Sequence, residues 1–174
     1  MEYSLLGSTG VKVSKICLGT ATFGVAPDAQ EAGRVVHAAL DLGINFFDTA
    51  NVYGATPTFD RPGAPPATER EPAEQILGRA LVGRRDDVVI ATKSGERRFD
   101  PTGPARRYII HQVEHSLRRL GTDYIDVYYA HFPDPDTPLE QTLVVYDDLV
   151  RQGKLRYMAF PLVNYLPSAP RARA

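Results

Sequence analysis

Four side chains capable of proton chemistry stand at or just after the ends of short apolar runs. Asp48 follows Ile44 to Phe47, Lys93 follows Val88 to Thr92, and His131 follows Ile125 to Ala130. Tyr53 lies five residues beyond Asp48, in the segment Asp48-Thr49-Ala50-Asn51-Val52-Tyr53-Gly54. A phenol with its ordinary pKa of about 10 is a poor acid at neutral pH. An ammonium a few ångströms away favours phenolate and makes the O–H a usable proton donor. A lysine in an apolar site needs a counter-charge such as Asp48, or desolvation neutralises it. A neutral imidazole can hydrogen-bond a substrate oxygen and orient it. The set suits protonation of a developing alkoxide, as in carbonyl reduction. Singly, each residue also has a plain structural reading: Asp48 a turn cap, Lys93 a solvated lysine, His131 a hydrogen-bonded residue shortly before Pro133, Tyr53 a loop aromatic. The signal is their joint placement, because parallel α/β folds carry their active sites at the C-terminal strand ends. A Schiff-base role for Lys93 in a barrel lyase would leave Tyr53 and Asp48 without roles.

The surrounding pattern supplies elements that could hold these residues. Tyr3 to Leu6 and Val11 to Val13 flank the turn-rich Gly7-Ser8-Thr9-Gly10, which predicts a hairpin. Ile16-Cys17-Leu18 is a short apolar run stopped by Gly19. Asp28 with Glu31 makes a capping-box pattern, Ala32, Val35, Val36, Ala39 and Leu40 recur at helical spacing, and Gly43 is a natural stop. Residues 51–70, with Pro57, Pro62, Pro65 and Pro66, read as a long loop. A second helix is expected from Pro72 to Leu81, then the buried-type strand Val88 to Thr92 closed by Lys93. Ile109, Val113, Leu117 and Leu120 form the stripe of a third helix. Thr137-Pro138-Leu139-Glu140 reads as another capping box, opening a fourth helix with Leu139, Leu143, Tyr146 and Val150 on one face. Arg156 to Phe160 would be a fifth strand. Strands alternating with helices imply right-handed crossovers and a parallel sheet. Periodicity alone fits either a doubly wound sheet or part of a barrel.

Composition narrows the function classes. Lys+Arg 20 against Asp+Glu 21 gives a net charge of −1, with no basic stripe to neutralise phosphates, so no nucleic-acid partner is expected. No apolar run is long enough to suggest a membrane span, and the Met-Glu-Tyr-Ser start lacks the regions of a signal peptide. Cys17 is the only cysteine and cannot form an internal disulfide, which points to the cytoplasm. The residues suggest no metal site. At 174 residues the chain is short for a complete (β/α)8 barrel, which takes about 250.

Several segments together resemble the aldo-keto reductase family. Leu6-Gly7-Ser8-Thr9-Gly10-Val11-Lys12-Val13-Ser14 is similar to its opening hairpin, and Leu18-Gly19-Thr20-Ala21-Thr22-Phe23-Gly24 to the loop after its first barrel strand. Asp48 to Gly54 matches the D-T-A-x-x-Y-G signature, Glu74 to Leu81 resembles the E-x-x-L-G-x-A-L helix, and Ala91-Thr92-Lys93 matches the lysine strand. Val113 to Asp126 is similar to the third helix and fourth strand, and His131 to Leu143 to the histidine segment of the bacterial, potassium-channel-β-like branch. The resemblance implies an incomplete (β/α)8 TIM barrel over residues 1–160: the hairpin, about four βα units and a degraded fifth strand. It implies Tyr53 as general acid, Lys93 as the group that activates it, Asp48 as the partner of Lys93, and His131 as the residue orienting the carbonyl. It further implies NADPH as hydride donor to a small aldehyde or ketone, with Gly19, Thr20 and Asp48 near the nicotinamide. The absence of G-x-G-x-x-G agrees with a family that binds this cofactor without a Rossmann fold.

The pattern breaks after Gly153-Lys154-Leu155-Arg156-Tyr157-Met158, where Pro161 and Leu162 replace an expected Ser-Asn pair. Residues 161–174 are therefore expected to be a Pro/Arg/Ala-rich tail foreign to the family, from a shifted frame, a premature stop or an evolved tail. With the strands that would hold most of the cofactor missing, weak or absent NADPH binding is expected. The alternative from another class is a non-catalytic remnant or interaction module that pairs with another subunit, or with itself, through an open barrel edge.

Overall fold

The computed structural model describes residues 1–94, 105–131 and 137–160. Strands β1 (Tyr3–Leu5) and β2 (Lys12–Ser14) pair antiparallel as the expected hairpin, in the register Tyr3 opposite Ser14. A parallel sheet follows, made of β3 (Leu18–Gly19), β4 (Phe46–Asp48), β5 (Val89–Ser94), β6 (Ile125–Ala130) and β7 (Leu155–Ala159). Helices α1 (Ala29–Asp41), α2 (Ala73–Ala80), α3 (Ala105–Leu120) and α4 (Leu139–Arg151) fill the connections. Strand order in space is β3-β4-β5-β6-β7, the same as in the chain. A doubly wound sheet reverses its order at a switch point; this one does not, so it is the first part of a barrel wall. The fifth strand pairs regularly, with Ile125 opposite Leu155 and Tyr129 opposite Ala159. The expected tail, 161–174, lies outside the described residues.

Alternation along the strands separates two faces. Phe47, Ile90 and Tyr128 point toward the helices and join a core with Val36, Leu77, Val113, Leu117 and Leu149. Val89, Ala91 and Val127 point the other way and pack with Val13 of the hairpin, with Phe46, Tyr129 and Tyr157 around them. The Tyr157 hydroxyl donates to Thr9 O (3.1 Å), so the hairpin closes that end of the inner face. By the same period of two, Asp48 follows Phe46 and Lys93 follows Ala91 on the inner face.

The helix ends match the sequence in part. Asp28 caps α1 by accepting from the Glu31 N–H (2.8 Å), but the Glu31 carboxylate pairs with Arg34 rather than closing the box. Helix α2 begins one residue late, with Pro72 as its N-cap. The N-cap of α4 is Pro138, with no side-chain cap bond, so the Thr137 capping box does not form. Its expected face holds in part: Tyr146 is buried and Val150 packs on the core, whereas Leu139 and Leu143 are exposed and Val145 and Leu149 are buried beside Tyr146. Packing on α3 and β7 decides which residues of the first turns are left out. Lys93 lies inside β5, which runs on to Ser94, and the 51–70 loop contains two 3-10 turns, Pro57–Phe59 and Ala67–Glu69.

Two helical glycines give opposite expectations. A Cβ at Gly78 would meet Leu120 O at 2.4 Å and its carbonyl carbon at 2.6 Å, whereas one at Gly33 meets nothing within 4 Å. Gly78 is thus where α2 lies directly against the end of α3. Gly78→Ala should cost about 1–3 kcal/mol through overpacking. Gly33→Ala should gain about 0.5–1 kcal/mol by restricting the unfolded chain. Urea unfolding of both variants checks the pair, and equal effects would contradict it.

Candidate active site

Asp48 closes β4 and is held from both sides. Gly19 stands opposite it in β3, the Thr20 N–H donates to its carbonyl (2.9 Å), and Ala91 of β5 is its other neighbour. Beyond it the chain continues along β5: the Thr49 N–H donates to Ala91 O (2.8 Å) and the Asn51 N–H to Lys93 O (3.0 Å). A turn then brings Tyr53 back, its N–H donating to Ala50 O (3.1 Å), while its own carbonyl accepts from the Ala73 N–H (3.0 Å) at the start of α2. Gly54 has a φ of 81°, and a Cβ there would lie 2.6 Å from Phe23 O. Only glycine fits this turn.

These constraints bring three of the four residues together. The Lys93 Nζ donates to Asp48 Oδ1 (2.6 Å) and to Thr49 O (2.7 Å), and lies 3.4 Å from the Tyr53 hydroxyl. An ammonium has three N–H bonds, and each has one of these oxygens within reach. It also sits 4.8 Å from the centre of the Tyr53 ring, which meets Phe59 edge-on at 5.9 Å. Lys93 is nearly enclosed, with 12% of its side chain exposed, while Asp48 keeps 32%. His131 stands one strand along, directly after β6, its N–H donating to Ser94 O (2.9 Å). It continues the inner-face parity of Val127 and Tyr129. Adjacent strands are about 4.8 Å apart, so His131 occupies the same end of the sheet as the other three.

The residues expected to touch a cofactor divide. Gly19 is exposed, with open space where a side chain would stand. Thr20 is fully buried, and its Oγ1 has no hydrogen-bond partner among the described residues. Gly19 and Asp48 thus stand side by side at the strand ends, while Thr20 is tied to Asp48 through its backbone N–H.

The comparisons with known proteins now bear on this geometry. A family model described as the aldo/keto reductase family matches residues 15–164. The chain belongs to that family. An uncharacterised oxidoreductase of Bacillus subtilis, YrpG, is 39% identical over 168 residues, covering 91% of this chain and 48% of the relative. A probable voltage-gated potassium channel subunit beta of Oryza sativa subsp. japonica is 37% identical, covering 90% of this chain and 45% of its own length. The holo form of an aldo-keto reductase from Bacillus halodurans superposes with a TM-score of 0.73 at 34% identity, over 92% of this chain and 50% of that one. This aldo-keto reductase chain thus spans about half the length of the relatives it matches, and its fold is an incomplete TIM barrel. Among the described residues no helix is long and apolar enough to cross a membrane. No group of three or more His, Cys, Asp or Glu among them could hold a metal ion.

The sequence treated Cys17 only as an index of redox compartment, and its place in the site depends on β3 lying beside β4. The residue is exposed as a whole. Burial at its thiol end, with the Asp48 carboxylate adding to it and Lys93 opposing, pushes the thiol from 9.0 up to about 11. The folded state therefore holds this proton more tightly, so the associated stability is present below pH 9.0 and is lost as pH rises toward 11. At pH 8 a smaller fraction of it is thiolate than in the unfolded chain, partly offset by the greater nucleophilicity of a more basic thiolate, and iodoacetamide should label the native protein slower by about tenfold. Labelling at equal rates in buffer and in urea would contradict this.

Proposed function

We propose that this chain carries the catalytic half of an NADPH-dependent carbonyl reductase of the cytoplasm, acting on a small aldehyde or ketone. The observation behind the reading is the Lys93 ammonium placed between the Asp48 carboxylate and the Tyr53 hydroxyl, at the accessible strand ends. Gly19 and Asp48 would border the nicotinamide, and NADPH, when bound, supplies hydride to the carbonyl carbon. As charge develops on the carbonyl oxygen, Tyr53 gives it the phenolic proton. The Lys93 N–H directed at that phenol oxygen stabilises the phenolate left behind, and Asp48 holds Lys93 in place and balances its charge. His131, on the neighbouring strand end, would hold the carbonyl oxygen toward Tyr53. Proton return from water resets Tyr53.

Carbonyl-dependent NADPH oxidation tests the reading. It is best measured on the chain itself and on a chimera in which residues 1–160 replace the matching half of the Bacillus halodurans enzyme. Turnover in the chimera supports the proposal. A folded chimera that binds NADPH but turns over no aldehyde or ketone contradicts it.

A second reading, an interaction module, is favoured by one surface. Among the described residues β7 pairs only with β6, and Leu139, Leu143 and Val144 are exposed on α4. Unpaired edges and apolar patches of this kind favour association, here between two copies of the chain. Sedimentation velocity separates the readings: a defined oligomer without turnover favours the module.

A further inference from the structure

A second polar network lies behind the strand ends, on the helix face of the sheet. Glu74, the second residue of α2, is fully buried among Ala73, Ile76 and Leu77. Its Oε1 accepts from the Thr92 hydroxyl (2.7 Å), and its Oε2 lies 3.4 Å from Arg119 Nη1. Thr92 precedes Lys93 in β5 and by alternation faces the helices while Lys93 faces inward. The same Arg119 Nη1 donates to Asn51 O (3.0 Å), two residues before Tyr53, and the Asn51 side-chain amide donates to Gln112 of α3 (2.9 Å). The Ala73 N–H, one residue before Glu74, donates to Tyr53 O (3.0 Å). Residues 51–53 are thus tied at their first carbonyl by Arg119 and at their last by the start of α2. Glu74 joins those two anchors to each other and to β5.

Stability alone is a poor account of this arrangement, since a buried ion pair adds little that well-packed apolar side chains would not. What charge adds here is direction, because one cationic nitrogen carrying two or more N–H bonds can reach a backbone carbonyl and a carboxylate together. Gly78, one turn along α2 from Glu74, lets Leu120, next to Arg119, approach within 2.4 Å of where a Cβ would stand. That contact sets the helix spacing at which Arg119 Nη1 reaches both oxygens.

We propose that Glu74 and Arg119 are positioning residues that hold the Asn51–Tyr53 turn, and so keep the Tyr53 hydroxyl over Lys93. The functional meaning rests on Tyr53 acting as the proton donor, but the positional claim does not. The test is therefore made on the 174-residue chain without cofactor. Amide hydrogen exchange and the nuclear Overhauser contacts between the Tyr53 ring and the Lys93 side chain are compared in wild type, Arg119→Met, Arg119→Lys and Glu74→Gln. In Arg119→Met, protection at Asn51, Tyr53 and Ala73 should fall by about tenfold or more while Ile90 and Tyr128 keep theirs, a local opening rather than a global one. The Tyr53–Lys93 contacts should vanish with it and return in Arg119→Lys, which keeps a cationic donor. Glu74→Gln preserves the Thr92 bond and should show the same local pattern at smaller size, so it carries the test if Arg119→Met does not fold. Unchanged contacts, or protection lost evenly across β5 and β6, would overturn the assignment. Loss of the wild-type local pattern in the variants, together with an inactive chimera, would leave the clamp standing and the reductase reading refuted.

Discussion

Tyr53→Phe lowers the turnover of carbonyl reduction in the chimera by about 10²- to 10⁴-fold, the usual contribution of a positioned general acid. That factor corresponds to about 3–5 kcal/mol of transition-state stabilisation. The ring survives the substitution, keeping its edge-on contact with Phe59 and its place beside the Lys93 ammonium, so the loss should fall on kcat with KM for NADPH little changed. Lys93→Met should cost a similar factor and, unlike Tyr53→Phe, also lower the unfolding midpoint. It leaves the Asp48 carboxylate and the Thr49 carbonyl without the donor they share. Steady-state kinetics and thermal unfolding of the two variants check this split. A Tyr53→Phe chimera that keeps wild-type kcat would remove Tyr53 from the chemistry.

The second large effect concerns the cofactor. On the proposed reading Gly19 and Asp48 meet one end of NADPH, and the family resemblance assigns the remaining contacts to strands and loops beyond those described. Titration calorimetry should therefore give the 174-residue chain an NADPH affinity weaker than micromolar, and at least about a hundredfold below that of the chimera. A hundredfold is about 2.7 kcal/mol, a modest share of what contacts to a pyrophosphate and an adenosine would supply. Micromolar or tighter binding by the chain alone would show that the half barrel holds the whole cofactor.

How much of this was legible in the sequence depends on the range of the interaction. Asp28, Gly43 and the Ile109-Val113-Leu117-Leu120 stripe are set within a turn or two of helix, and all stand as expected. Asp48, Lys93 and His131 were legible because an apolar run and the polar residue beside its end are neighbours in the chain, whereas Tyr53, in a loop, stood out only through its short spacing from Asp48. The choice between a barrel and a doubly wound sheet was not legible from periodicity, because strand order is a property of the sheet. On α4, Tyr146 and Val150 face the core as expected, but Leu139 and Leu143 do not, because they repeat as regularly as Val145 and Leu149 and only packing on α3 and β7 decides between them. The Glu74–Arg119 contact joins residues 45 apart and depends on the close helix approach at Gly78. One sequence signal did exist: an acidic residue on a helix side otherwise made of Ala73, Ile76, Leu77 and Gly78. Its partner could be named only once α2 and α3 were in place.

On the proposed mechanism Tyr53, beside Lys93, protonates a carbonyl oxygen as hydride arrives at its carbon. The most direct measurement is label transfer in the chimera, using NADPH deuterated at the transferring C4 position and a small aldehyde, with product analysed by mass spectrometry. One deuterium is expected on the carbinol carbon with Tyr53 intact, formed at least about a hundredfold more slowly after Tyr53→Phe. An unlabelled alcohol, or equal transfer rates with and without the phenol, would contradict it.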